Sequence, residues 1–452
     1  MVKISIIGAG SANWSLKLIK DICLTKGLWK SKVCLMDINK ERLELVYILA
    51  KRYAKAVKTD LKFERTLSRK HALKEADFII TSVMTPGHSS YELQRSVAEK
   101  HGYYRGIDSV DHNMVSDYYT IGGYNQMKLF MDIATDIKDI CPNAWIIQTS
   151  NPLFELCTLL NRKFNLKIIG VCHGHLGYKE VIRILRLNPE DVEVEMIGVN
   201  HYIWLTLFRY KGKDAYPLLD EWIKNKAEQF WEHRKPNYFE NDMSPAAIDM
   251  YKRFGLLPIG DSVRSGGWKY HFNLKTKKKW YGPLGGFDSE IGWKLYLKDL
   301  EEGLNKIARL VNAAKAELLK EIPPVMSEEQ HIPIINSIVN DIPSIYQVNI
   351  PNQGVIRGIR EDVVVEVPVK VNAKGIHRLS VHQLTQDVMR YALLPRILRM
   401  EWALDAFLKG GRNKLLEWLM NDIRTRSISQ AEKAIKAILA LPFNKEMAKH
   451  YN

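Results

Sequence analysis

Cys172, His173, Gly174 and His175 stand together after one apolar run, and Asn200 and His201 follow another. Thiolate and imidazole are donors that borderline divalent ions prefer, and one cysteine with one histidine leaves coordination positions free for two oxygens of a bound molecule. A cysteine packed as core filler and histidines satisfied by hydrogen bonds fit the same spacing. A third knot, Asp261-Ser262-Val263-Arg264, follows Pro258-Ile259-Gly260. A carboxylate beside a guanidinium is either a base held ionised by its cation or a structural ion pair. At the N-terminus, Gly8-Ala9-Gly10-Ser11 opens a predicted helix, and Asp37 closes the next apolar run. Gly8 permits a tight turn, Gly10 lets the backbone approach a pyrophosphate at a helix N-terminus, and an acid at position 37 suits a ribose hydroxyl and repels the extra phosphate of NADP. Asn13 replaces the third glycine of the full fingerprint, and Asp37 also fits as a cap for a helix starting near Lys40.

These groups need strands to position them. Short apolar runs alternate with helical patterns through the first half: strands are expected at Lys3 to Ile7, Lys32 to Met36, Leu61 to Glu64, Phe78 to Val83, Trp145 to Gln148 and Lys167 to Val171. Helices are expected after the glycine turn to Leu24, up to Ala76, and from Asn125 to Ile140. Such alternation signals a parallel sheet, whose ligands bind beyond the carboxyl ends of its strands. Those ends carry Thr149-Ser150-Asn151-Pro152 and Cys172-His173-Gly174-His175, so both face the crevice expected for a nicotinamide. Val192 to Ile197 reads as a further strand leading to Asn200 and His201. Beyond Gly198 strands thin out, aromatic residues cluster, and amphipathic helices are expected near Leu300 to Ile322 and Arg390 to Leu408. The predicted architecture is α/β, a Rossmann-type doubly wound sheet of the lactate/malate dehydrogenase type, with a mostly helical α+β C-terminal domain. Residues 1–195 form the first domain and 196–452 the second.

A chain of 452 residues exceeds the size at which one core usually stops growing. With 46% hydrophobic and 26% charged residues it is ordinary globular protein, which excludes disordered and fibrous classes. Five scattered cysteines without a Cys-x-x-Cys pair point to a reducing compartment; with no leader and no membrane-length apolar run, the expected location is cytoplasmic. The net charge of +15 favours anionic partners. The basic residues are dispersed, however, and the densest group, Lys275, Lys277, Lys278 and Lys279, reads as a solvated hairpin turn, so nucleic acid and membrane are not expected as partners.

Taken in order along the chain, these segments resemble glycoside hydrolase family 4, the NAD- and manganese-dependent glycosidases. The resemblance includes Gly8-Ala9-Gly10-Ser11, Tyr103-Tyr104-Arg105-Gly106-Ile107-Asp108, Asn113-Met114-Val115-Ser116, Asn151-Pro152, Cys172-His173-Gly174-His175, Val199-Asn200-His201, Ser244-Pro245-Ala246-Ala247 and Gly260-Asp261-Ser262-Val263-Arg264. It continues through Glu329-Gln330-His331-Ile332-Pro333, Val365-Glu366-Val367-Pro368 and Pro395-Arg396-Ile397-Leu398-Arg399-Met400-Glu401. Members acting on 6-phosphorylated sugars typically carry Cys-Asp-Met-Pro where this chain has Cys-His-Gly-His. The match is nearer the α-glucosidase branch, through Asp117-Tyr118-Tyr119-Thr120 and Tyr124-Asn125-Gln126. The segment before Glu329 is shorter than in the family.

The resemblance implies hydrolysis of unphosphorylated α-glucosides by C3 oxidation with bound NAD, C1–C2 elimination, water addition and re-reduction. It implies that Gly8, Gly10, Ser11, Asp37 and Asn151 hold the dinucleotide, and that Cys172 and His201 hold Mn2+ or another divalent metal. It implies that Asp261 is the base, that His173 protonates the leaving oxygen, and that Asp117, Asn151 and Arg264 meet the sugar. Cys172, as a thiolate ligand, would make activity depend on reducing conditions. A homodimer or homotetramer is expected. An α-glucuronidase or α-galacturonidase is the alternative within the family. An NAD-dependent hydroxy-acid dehydrogenase is the alternative outside it, separable by net NADH production.

Overall fold

The computed structural model describes residues 1–107, 123–239 and 241–452. Thirteen strands among them form one sheet: β1 (Lys3–Ile7), β2 (Lys32–Met36), β3 (Lys62–Thr66), β4 (Phe78–Thr81), β5 (Trp145–Gln148), β6 (Lys167–Gly170), β7 (Val192–Val199), β8 (Tyr202–Tyr210), β9 (Lys213–Asp214), β10 (Leu257–Ile259), β11 (Ser344–Pro351), β12 (Val364–Asn372) and β13 (Gly375–Arg378). Strands β3-β2-β1-β4-β5-β6 are parallel, the doubly wound order, with its switch point between β1 and β4. Ile4, Ile6, Val33, Leu35, Ile79, Ile80 and Ile147 are fully buried because helices cover both faces of a parallel sheet.

The second half extends the same sheet in antiparallel fashion, β6-β11-β12-β7-β8-β10, with β9 beside β8 and β13 beside β12. Strands are therefore more numerous after Gly198 than the sequence suggested. Val363, Val364, Val365 and Val367 are buried, and the run they form builds β12 at the centre of this extension. Residue 195 falls inside β7, at a bulge in its pairing with β8. The predicted helix from Leu300 to Ile322 is two pieces, Glu290–Leu310 and Lys315–Glu321. The second predicted helix runs Leu394–Lys409 and is entered through a π-helical turn, Met389–Leu393. The expected lysine hairpin is instead the helix Leu274–Tyr281, started by Asn273, whose side chain accepts from the Thr276 amide. Lys275, Lys278 and Lys279 lie on its exposed side, while Lys277 turns inward to His271 (3.1 Å) and the Asp288 carbonyl (3.1 Å).

One row of paired residues crosses the whole sheet. Thr66, Met36, Ile7, Thr81, Gln148, Gly170, Asn349, Glu366, Gly198, Ile203 and Ile259 are successive neighbours in the strand pairings. The segments carrying Gly8, Asp37, Asn151, Cys172, His201 and Asp261 leave the sheet within a few residues of this row. Among the described residues no helix is long and apolar enough to cross a membrane.

Candidate active site

On the row, β1 leads into Gly8 with φ 91°, a left-handed conformation that disfavours any side chain. A Cβ there would also lie 2.2 Å from the Ser82 carbonyl oxygen. Gly8 and Ala9 donate to the Met36 carbonyl, and the Ser11 amide donates to the Gly8 carbonyl, so the turn closes onto β2 before the helix Ala12–Leu24 begins. Ser11 occupies the N-cap without a side-chain capping bond. The Asp37 carboxylate accepts from the Gly10 amide (2.7 Å) and the Asn39 amide (2.8 Å). Asn39, not Asp37, caps the helix Lys40–Val57. Asp37 thus faces the glycine turn, which follows β1, one of the two strands that border the switch point.

Midway along the row, buried polar side chains bind the strand ends to each other. Thr81 hydrogen-bonds Gln148, Gln148 donates to the Ser150 carbonyl (2.8 Å), and the Ser150 hydroxyl accepts from the Val83 amide (2.8 Å). Asn151 follows, its carbonyl held by Gln126 (2.9 Å).

Three further segments converge. Cys172 lies two residues past β6, His201 in the two-residue turn between β7 and β8, and Asp261 two residues past β10. One donor atom from each lies within 4.8 Å of the others, the single such group of metal-capable side chains among the described residues. His201 Nε2 is 3.2 Å from Asp261 Oδ2. His201 has φ 59°, at a turn position where glycine or asparagine is usual. Strain of this kind persists where a side chain is needed in one place. Gly174 borders the group: a Cβ there would sit at ordinary contact distance, 3.6 Å from Cys172 Sγ and 3.8 Å from the Asp261 carboxylate, so the space does not demand glycine.

The charges are ordered by these contacts. Burial pushes His201 down to about 4, against the pull of Asp261, so it is a neutral imidazole, the ligand form. Burial works to raise Asp261, but Arg264, His201 and His173 outweigh it and hold the carboxyl well below the usual carboxylate range. Burial, with the Glu366 and Asp261 carboxylates, pushes the Cys172 thiol well up. Thiolate ligation there requires the field of a cation. One thiol and one neutral imidazole suit a borderline divalent ion, with the Asp261 carboxylate beside them.

His173 sits beside this group with 46% of its side chain exposed. Burial opposes its protonation, but Glu329 outweighs that and raises it. Arg264 is buried, bonded to Asp261 and to Asp288 (3.1 Å), so it steadies the carboxylate in addition to any sugar contact. Asp117 lies outside the described residues.

Two residues in contact with the site were quoted in the sequence only within family segments, with no role. Glu366, on the row, accepts from Asn200 (3.0 Å) and Asn349 (3.2 Å) and ties the His201 turn to β11 and β12. A lone acid inside an apolar strand was the available signal, since a buried carboxylate needs partners. Glu329 pairs with His173 Nδ1 (3.6 Å) across a sequence distance that no local pattern reveals.

Two family models match the chain: family 4 glycosyl hydrolase over residues 3–187, and the family 4 glycosyl hydrolase C-terminal domain over residues 196–425. An α-galacturonidase of Thermoanaerobacter italicus is 25% identical over 454 residues, covering 96% of this chain and 94% of that one. An α-glucosidase of Erwinia rhapontici is 26% identical over 465 residues, covering 93% of each. The crystal structure of a 6-phospho-α-glucosidase from gut microorganisms, in complex with NAD and Mn2+, shares the fold, with TM-score 0.77, 19% identity and 97% of each chain covered.

Proposed function

The chain belongs to family 4 of the glycosyl hydrolases, and from that premise we propose that it hydrolyses unphosphorylated α-glucosides with NAD and a divalent metal. The observation that carries this reading is the convergence of Cys172, His201 and Asp261 from β6, the β7–β8 turn and β10. Gly8, Gly10, Ser11 and Asp37, with Asn151, would hold the dinucleotide, mostly within residues 1–195; Cys172 and His201 would hold the cation. When bound, NAD supplies an acceptor for the C3 hydride that is later returned, and the cation polarises the C2 and C3 oxygens.

Asp261 takes the C2 proton. A carboxylate held so low is a weak base, so it suits a carbon acid already made acidic by a ketone next to it. As the C1–O bond breaks, His173 gives its proton to the leaving oxygen, and the aglycone departs as an alcohol. Arg264 keeps Asp261 ionised and fixed, while Asn151 and Asp117 would meet the sugar. His173 follows Cys172 where relatives specific for phosphorylated sugars carry an acid, which favours the unphosphorylated class.

A second reading is an α-galacturonide substrate, favoured because several similar proteins, including that of Thermoanaerobacter italicus, bear the name α-galacturonidase. The test is release from p-nitrophenyl α-glucoside and α-galacturonide, with NAD, Mn2+ and a thiol, each omitted in turn. Release from the glucoside that stops without NAD or metal supports the proposal. Release from the galacturonide alone moves the substrate to a uronide. Net NADH formation on a hydroxy acid without glycoside cleavage defeats both.

A further inference from the structure

We propose that Glu329 is a positioning residue that fixes His173 in the orientation required to protonate the leaving oxygen, an inference that rests on the glycosidase reading above. Its carboxylate is almost wholly inside the protein, 5% exposed, whereas the imidazole it faces is 46% exposed. His173 Nδ1 is 3.6 Å and Lys17 Nζ 2.9 Å from the same Oε1 of Glu329. The buried carboxylate sits between an imidazole and an ammonium, and the Nδ1 edge of the His173 ring is the one turned towards it. Nε2, on the opposite edge of the ring, is left to serve the substrate.

The acid is itself anchored. The Glu329 amide donates to Ser327 Oγ (3.2 Å), and Ser327 in turn donates from its amide to Asp21 Oδ1 (2.7 Å) and from its hydroxyl to the other oxygen of Asp21. Asp21 and Lys17 both belong to the helix Ala12–Leu24, which begins at the glycine turn. Trp14, on the same helix, packs its ring against His173, with centroids 5.9 Å apart and planes at 43°. The first helix of the dinucleotide turn therefore sets the acid's imidazole on two sides, by an aromatic wall and by a held carboxylate. No comparable anchor is needed at Asp261, which Arg264 grips directly.

If Glu329 acts through His173, its loss harms the departure of the aglycone and nothing before it. The full-length protein, loaded with NAD and Mn2+, is assayed on the aryl glycoside it cleaves and on the corresponding methyl glycoside, whose alcohol cannot leave without a proton. Glu329→Gln is expected to lose about a hundredfold in kcat on the methyl glycoside and less than about threefold on the p-nitrophenyl glycoside. In D2O it should still place deuterium at C2 of recovered methyl glycoside, because oxidation and proton removal precede the affected step. His173→Ala should show the same pattern, and the double variant should be no worse than His173→Ala alone. Equal losses on both substrates, additive losses in the double variant, or a tenfold change in NAD affinity with the leaving-group dependence untouched would overturn the proposal. Should Glu329→Gln not fold, Glu329→Asp keeps the charge but shortens the reach, and the same selective loss is expected. A wild-type protein that cleaves without NAD or incorporates no C2 deuterium would instead refute the underlying glycosidase chemistry.

Discussion

The glycine turn and the Cys172–His201–Asp261 cluster are built from different materials. At the glycine turn the backbone closes on itself: the Gly8, Ala9 and Ser11 amides donate to carbonyls, and the one acid, Asp37, holds the Gly10 and Asn39 amides. At the cluster the working groups are side chains from separate segments, each polarised by a neighbour: His201 and Arg264 on Asp261, Glu329 on His173, Glu366 on the Asn200 turn. Backbone geometry is set by local sequence, so the turn tolerates charge changes and fails on steric ones. Side-chain electrostatics is set by long-range packing, so the cluster should do the reverse.

The largest effect is expected at the charged cluster. Asp261→Asn should reduce kcat about 10³-fold or more while NAD and Mn2+ titrations, followed by fluorescence or calorimetry, stay near wild type. Near-normal turnover in this variant would remove Asp261 as base, and lost metal affinity would recast it as a ligand. At the glycine turn Gly8→Ala should be the severe change, since the new methyl meets the Ser82 carbonyl in a left-handed backbone; NAD binding should become undetectable by calorimetry. Gly10→Ala meets only the Asp37 carboxylate, 2.7 Å from the new methyl, a side chain that can turn aside. A rise in the NAD dissociation constant of about tenfold, with kcat at saturating NAD preserved, is the expected outcome there. If Gly10→Ala lowered kcat as Asp261→Asn does, the contrast between turn and cluster would fail.

The smallest effect concerns Glu366. Burial raises its carboxyl from 4.5 to about 7, with Asp261 adding to the rise and the hydrogen bonds from Asn200 and Asn349 opposing it. The folded protein keeps a proton that the unfolded chain releases between those values. Its contribution to stability is therefore complete below pH 4.5 and is lost as pH rises through about 7, by at most about 3 kcal/mol. Glu366→Gln should flatten this slope, measured by urea denaturation between pH 5 and 8. A slope unchanged by the substitution would place the titration elsewhere.

What was legible in the sequence follows the same division. Strands β1, β2 and β5 and the glycine turn were read at their exact residues, because their signals are local: apolar runs, a turn requiring φ above zero, an acid at a strand end. Cys172, His201 and Asp261 were visible as residue types, but their convergence depends on β7, β8 and β10 joining the parallel sheet through β11 and β12, which no local pattern states. The lysine cluster was misread because Lys277 faces His271 and Asp288 inside the protein, and a partner of that kind overrides the solvated-turn expectation. Glu329 was seen as part of a segment, yet its role appears only beside His173.

The row of paired residues also dictates where this chain can change in length. Each reacting side chain hangs one to four residues beyond a strand, and a strand's faces alternate with every residue. One residue inserted between Gly198 and His201 would displace or reverse the imidazole, and deleting Gly260 would withdraw Asp261. The turns on the opposite edge of the sheet, by contrast, can grow or shrink without shifting the row, whereas Ser327 and Glu329 tie their connection to His173. Libraries that vary loop length should therefore spare the carboxyl edge and place their diversity on the opposite edge of the sheet, where new specificity elements can be grafted without detuning the chemistry.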